Sequence, residues 1–264
     1  MTATTARRPA RRTASRTPSL RVERTLQREG YAVLVGMDEV GRGALAGPVS
    51  VGVGAIDEGC RSAPQGVKDS KLLTAASREA MVPRIQRWCL GHGVGHAWPE
   101  EIDAIGIMAA LRLAGQRAMA QLGAVVPDLV LLDGNHDWLT DPARVGLLGL
   151  LEEGAAPCPP VRTMIKADLR CSSVAAASVL AKVARDRLMV QAAQESAYLP
   201  YRWEQNKGYA APEHLDALRE RGPSTWHRRS WRITGGDVGT EQGQAGGGDP
   251  WAPQDRAEEG SASR

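Results

Sequence analysis

Two apolar runs joined by a glycine-rich link constrain this chain more than any other feature. Tyr31–Met37 (YAVLVGM) is long enough for one buried strand, and Val49–Ile56 (VSVGVGAI) alternates valine with small residues as a second. The link between them, containing GRGALAG, is too short for a crossover helix, so the strands are expected to pair antiparallel. Downstream the period changes. Ala75–Leu90 carries Met81, Ile85 and Trp88 at helical spacing, and His92–Trp98 fits a third strand. Pro99-Glu-Glu-Ile-Asp opens a helix running to about Leu122, with proline and acids in its first turn. Asp128–Asp133 (DLVLLD) is a strongly apolar strand and Arg162–Lys166 a weaker one. Ser172–Gln191 is a long alanine-rich helix, and Pro212–Arg221 a short one stopped at Gly222. Three early strands followed by helix–strand alternation predict an α/β fold, a mixed sheet flanked by helices.

The ends differ from the middle. Residues 1–24 hold seven Arg and one Glu, a charge of +6; residues 235–264 hold two Arg and six acids, a charge of −4. The whole chain is +3, so the middle is about +1. Neither end can bury enough apolar surface to offset its ordering entropy. The expected organisation is a disordered basic arm (1–24), one folded domain (25–234) and a disordered acidic tail (235–264). A near-neutral middle argues against a simple basic DNA-binding module. Cys60, Cys89, Cys158 and Cys171 have no zinc-ligand spacing and are expected as free thiols. No run of 18 apolar residues exists to span a membrane.

Four acids carry the chemistry. Gly36-Met-Asp-Glu-Val-Gly-Arg-Gly43 ends an apolar strand in Asp38 and Glu39 before a glycine turn holding Arg42. Burying carboxylates there is costly unless a cation or donors compensate, and hard oxygen ligands suit Mg²⁺ or Mn²⁺. Neighbouring strand residues face opposite ways. Both acids serve one site only if the strand ends there, or if Glu39 offers its backbone carbonyl. The bland alternative is a solvated turn. Asp133, in Leu131-Leu132-Asp133-Gly134-Asn135, taken alone reads as a turn cap; a second acid-ended strand makes convergence with Asp38 and Glu39 reasonable. Asp168, in Lys166-Ala-Asp168, is either a helix cap or a fourth ligand. Asp186 reads as an ion-pair partner of Lys182. Carboxylates without a His or Cys cluster point to phosphoryl-transfer chemistry with two metal ions rather than to zinc hydrolysis. Asn206-Lys-Gly-Tyr209, His214 and His227-Arg-Arg-Ser-Trp231 interleave basic and aromatic groups, as a nucleic-acid surface does; a solvated face and a packed tyrosine are the alternatives.

The segments GMDEVGRGALAGPV, DSKLL (Asp69–Leu73), LLDGN, KADLRCSSVAAASVLAKVARD and NKGYAAPEHLDAL occur in that order between about Val35 and Trp231. Together they closely resemble the ribonuclease HII family. The resemblance implies an RNase H-like mixed five-stranded sheet flanked by helices, with a small helical C-terminal region. It implies that Asp38, Glu39, Asp133 and Asp168 hold two Mg²⁺ or Mn²⁺ ions. The reaction implied is hydrolysis of the RNA strand of RNA–DNA hybrids and nicking 5′ of a single ribonucleotide in duplex DNA, leaving a 3′-hydroxyl and a 5′-phosphate. Gly41, Arg42 and Gly43 would read the ribose 2′-hydroxyl, Tyr209 would pack on the next sugar, and Lys71 and Lys166 would contact phosphates. A cytoplasmic monomer acting on RNA–DNA hybrid and ribonucleotide-containing duplex, without membrane association, is expected. Alternatives are another RNase H-like nuclease, a non-catalytic nucleic-acid-binding protein, or a metal-dependent phosphatase. The last would not need the GRG turn. Lys-Ala-Asp stands where many relatives have Lys-Gly-Asp, Trp231 stands where Phe is expected, and Asn135–Trp138 is a longer polar loop than expected.

Overall fold

The computed structural model describes residues 17–141 and 159–231. Strands β1 (Leu34–Val40), β2 (Val49–Ile56), β3 (Gly91–Ala97), β4 (Leu129–Asp133) and β5 (Val161–Met164) form one sheet in the order β3-β2-β1-β4-β5. The β1–β2 and β2–β3 pairs are antiparallel; the β1–β4 and β4–β5 pairs are parallel. The sheet is therefore mixed, as the patterning predicts. Helices α1 (Arg21–Arg28), α2 (Ala75–Trp88), α3 (Pro99–Ala120), α4 (Ser172–Ala192), α5 (Trp203–Asn206) and α6 (Pro212–Arg221) surround it.

Strand alternation sorts the core. Val35, Met37, Val130 and Leu132 face α3 and bury with Ile102, Leu111 and Ala114. Leu34, Leu129 and Leu131 face α4 and bury with Leu26 and Val174. Helix α4 lies almost on the backbone of β1 and β2. A Cβ on Gly36 would stand 2.2 Å from the Ser173 carbonyl carbon, and one on Gly52 2.3 Å from the Ala177 oxygen. Small residues on both sides of that seam are what let the helix approach.

Two expectations are corrected. The basic arm does not reach residue 24. Helix α1 starts at Arg21 and packs Leu26 into the core, while Glu23, fully buried, accepts from Ser173 N–H (3.0 Å) and Ser173 Oγ (2.9 Å). An anion at the start of α4 also meets the positive end of that helix. Strand β1 does not stop at Met37 but runs through Asp38 and Glu39 to Val40. In the polar loop before Trp138, Asn135 and His136 are exposed, while half-buried Asp137 accepts from Leu139 N–H (3.0 Å) and Thr140 N–H (2.9 Å), and buried Trp138 packs against Gly115 of α3. Residues 1–16, the 235–264 tail and Cys158 lie outside the described residues. Cys60, Cys89 and Cys171 are free thiols. Among the described residues no helix is long and apolar enough to cross a membrane.

Candidate active site

The acids gather where β1 and β4 end. The parallel register pairs Met37 with Leu132, so the next step sets Asp38 beside Asp133 on the face covered by α4. Asp168 comes to the same edge on a 3₁₀ turn, Ala167–Leu169, that follows β5. Asp133 anchors that turn by accepting from Ala167 N–H at 2.6 Å. Asp38 and Asp168 are buried, 8% and 5% exposed.

The charges of the four carboxylates act on one another. Burial, then the Glu39, Asp133 and Asp168 charges, push the Asp38 carboxyl well above its ordinary range, against a hydrogen bond from Ser178. Burial, then Asp133 and Asp69, raise Asp168 to about 6, with Lys71 opposing. Burial also raises Glu39, against the field of Arg42, while Asp133 adds to the rise. By alternation Glu39 leaves β1 on the α3 side, yet β4 ends at Asp133 and the sheet is open there. Strand continuity therefore does not separate Glu39 from the group. Burial works against the Lys71 ammonium, but Asp69, Asp38, Asp168 and Asp133 together hold it above its ordinary value. Among the described residues no three His, Cys, Asp or Glu side chains form a ready-made metal cluster.

The glycine turn lies beside this acidic edge. Gly41 is buried with φ +84°, and a Cβ there would meet Arg185 Nε at 2.1 Å. Its N–H donates to Tyr209 Oη at 3.1 Å, which ties the GRG turn to the Tyr209 loop. Gly208, in turn, accepts from Leu45 N–H (2.8 Å) and Ala46 N–H (3.2 Å). Arg42 and Gly43 are exposed and Tyr209 half-buried. Arg185 lies over the Tyr209 ring at 5.3 Å and Lys182 at 5.7 Å. Lys166 is exposed, in left-handed backbone at φ 57°, and among the described residues no ion pair ties it to the acids. Lys182 does pair with Asp186 (2.7 Å), which Arg78 also approaches (3.6 Å).

The C-terminal basic and aromatic run is only partly solvated, with Arg229 and Ser230 exposed. His214, His227 and Arg228 are buried. Trp203 N–H donates to His214 Nε2 (3.2 Å), so His214 donates through Nδ1 to the Tyr209 carbonyl (2.8 Å). Ser224 N–H donates to His227 Nδ1 (2.9 Å), which leaves His227 Nε2–H to donate to His214 (3.0 Å). Both rings are thus neutral and fixed in tautomer; burial, then His214, push His227 down to about 3. Asp69, buried beside Lys71 and named above only within the DSKLL segment, and Arg185 were given no role, because lone charged residues in a sequence read as surface.

Residues 35–234 match the family model described as Ribonuclease HII. The chain belongs to the ribonuclease HII family. The ribonuclease HII of Streptomyces avermitilis is 46% identical over 215 residues, covering 81% of this chain and 83% of the relative. That of Paracoccus denitrificans is 42% identical over 214 residues, covering 81% and 91%. The crystal structure of ribonuclease H2 from Pyrococcus horikoshii OT3 matches with a TM-score of 0.56 at 27% identity, covering 76% of this chain and 94% of that one. Bst-RNase HIII, at 20% identity and a TM-score of 0.58, shares the fold. The protein is a ribonuclease H enzyme on the RNase H-like fold, as the motifs imply.

Proposed function

We propose that this ribonuclease hydrolyses the RNA strand of RNA–DNA hybrids and nicks duplex DNA 5′ of a single embedded ribonucleotide, leaving a 3′-hydroxyl and a 5′-phosphate. The observation that carries this reading is the adjacency of two structures. Asp38, Asp133 and Asp168 crowd one sheet edge, and the GRG turn beside them is locked to Tyr209.

The acids fit divalent ions. Hard oxygen donors are pressed together until burial and mutual repulsion raise Asp38 and Asp168, with Lys71 and Arg42 as the nearby cations. That excess of negative charge suits Mg²⁺ or Mn²⁺ held by Asp38, Glu39, Asp133 and Asp168. Two such ions, when bound, supply Lewis-acid stabilisation of charge at the phosphate. The protein's own groups do the rest. Asp133 holds the Asp168 turn in place through Ala167 N–H. Gly41, Arg42 and Gly43 bring backbone close to a ribose, whose 2′-hydroxyl distinguishes RNA from DNA. Tyr209 packs on the neighbouring sugar, and Lys71 and Lys166 contact phosphates. A monomer working in the cytoplasm on duplexes free of membrane is the accompanying proposal.

The test is cleavage of a labelled DNA duplex carrying one ribonucleotide, with Mg²⁺ or Mn²⁺ and with EDTA, comparing wild type with Asp133→Asn. A nick 5′ of the ribonucleotide is expected, lost with EDTA and reduced at least about a thousandfold in the variant, the scale of a lost metal ligand at a phosphoryl-transfer centre. Cleavage of a long hybrid without nicking at the single ribonucleotide would remove the junction-reading role of Gly41–Gly43.

A further inference from the structure

Two arginines are buried behind the GRG turn with no carboxylate in contact, although the charges of Asp186 and Asp103 favour Arg185 and Arg228 from farther off. Arg185 and Arg228 are both fully buried, and among the described residues neither makes an ion pair. Every bond their guanidinium groups make goes to a backbone carbonyl. Arg228 donates to Gly41 O (2.6 Å), Arg42 O (2.8 Å) and Gly47 O (3.0 and 3.1 Å). Arg185 donates to Ala46 O (3.0 Å), Pro48 O (2.8 Å) and Lys207 O (2.9 Å). The Arg228 N–H adds Leu45 O at 3.0 Å. The eight-residue connection between β1 and β2, residues 41–48, is therefore held by its carbonyls from one side. Burying a cation without a counter-charge is costly. An apolar side chain in that space would leave the carbonyls of Gly41, Arg42, Ala46, Gly47 and Pro48 without these donors, so the arginines act on this connection by fixing its carbonyls and not by filling space alone.

What the arrangement accomplishes is visible in the peptide planes. In a trans peptide the N–H points opposite to the C=O. Drawing the carbonyls of Gly41 and Arg42 inward turns the N–H groups of Arg42 and Gly43 outward, at two exposed residues. Neither amide has a backbone or side-chain acceptor among the described residues. Behind them stands the Arg228 charge, which strengthens their pull on an oxygen. Arg185 completes the frame: it bonds both the 46–48 stretch and Lys207, two residues before Tyr209.

We propose that Arg228, supported by Arg185, is a positioning residue for ribose recognition, fixing the peptide planes of the turn so that the free Arg42 and Gly43 amides face the substrate. This rests on the reading above that the turn contacts the ribose. Lysine cannot replace the arginine fork: it carries a point charge and cannot hold three carbonyls in one plane.

The experiment uses the full chain carrying Asp133→Asn to stop cleavage, with Mg²⁺ present. The dissociation constants of a DNA duplex with one ribonucleotide and of the same duplex without it are compared, before and after adding Arg228→Lys, alongside thermal melting. The preference for the ribonucleotide duplex is expected to fall about tenfold in Arg228→Lys, the scale of one well-placed hydrogen bond, while all-DNA binding holds. An undiminished preference in a folded Arg228→Lys protein would overturn the proposal. If that variant does not fold, Arg185→Lys is read the same way, and unfolding of both would assign the arginines to stability and overturn it too. If the Asp133→Asn parent itself shows no preference, the ribose reading of the turn fails rather than the arginines' part in it.

Discussion

At the residue scale, crowding carboxylates at the acidic edge works against stability, as the raised Asp38 and Asp168 carboxyls show. Asp168 has a folded value of about 6 against an ordinary 3.8. Its protonated form is therefore favoured by folding: the stabilisation is complete below 3.8 and is lost as pH rises through about 6. At pH 7 the metal-free protein carries the ionised carboxylate at a cost. Asp168→Asn removes that charge and keeps the shape, and is expected to stabilise the metal-free protein by about 1–3 kcal/mol at pH 7. The gain should shrink toward zero by pH 4. Thermal melting in EDTA at both pH values measures it. A variant that melts at or below wild type at pH 7 would show that the crowding is relieved in some other way. Nuclease activity should be lost in the same variant.

At the element scale, what the sequence disclosed follows from how each element is built. Strands β2 and β4 are apolar runs bounded by turn residues, and α4 is a long alanine-rich stretch, so their period identifies them. Asp38 and Asp133 were legible because each closes such a run. Helix α1 was not: RVERTLQR is polar, and in the folded chain its face is completed by a buried Glu23 whose partner, Ser173, lies 150 residues away. Arg185, Arg228, His214 and His227 were illegible for the same reason. Their partners are carbonyls and rings brought in by tertiary contact, and a lone charged residue in a sequence carries no mark of burial. The α1 anchor is testable. Glu23→Ala leaves Ser173 N–H and its hydroxyl unpaired in the core, which is expected to lower stability by about 1–3 kcal/mol. Deleting residues 1–16 should leave the melting temperature nearly unchanged, whereas deleting 1–24 should lower it at least as much as Glu23→Ala. Equal melting of the two deletions would mean that α1 contributes nothing to the fold.

At the scale of the whole molecule, charge is unevenly spread along the chain in a way that bears on how a polyanion reaches an acidic site. The stretch 25–234 is near neutral, about +1, and presents four carboxylates at the sheet edge proposed as its active site. Long-range attraction to a duplex from that part is weak, and close to the acids it is opposed. Residues 1–16 hold five Arg (positions 7, 8, 11, 12 and 16) and no acid. Basic residues that neutralise phosphates release counterions, so binding weakens with salt by a slope of about 0.9 per phosphate contact on a logarithmic plot. If three to five of these arginines reach the duplex, deleting residues 1–16 should flatten that slope by about 2.7–4.5 and weaken binding most at low salt. Attraction of this kind does not depend on sequence or sugar, so all-DNA and ribonucleotide duplexes should be affected alike and the preference between them kept. Binding isotherms on both duplexes across a salt series measure slope and preference together. An unchanged slope would exclude the arm from nucleic-acid contact. A changed preference would mean that the arm acts through the GRG turn, for which the ribose-reading role is proposed, rather than by bringing the duplex to it.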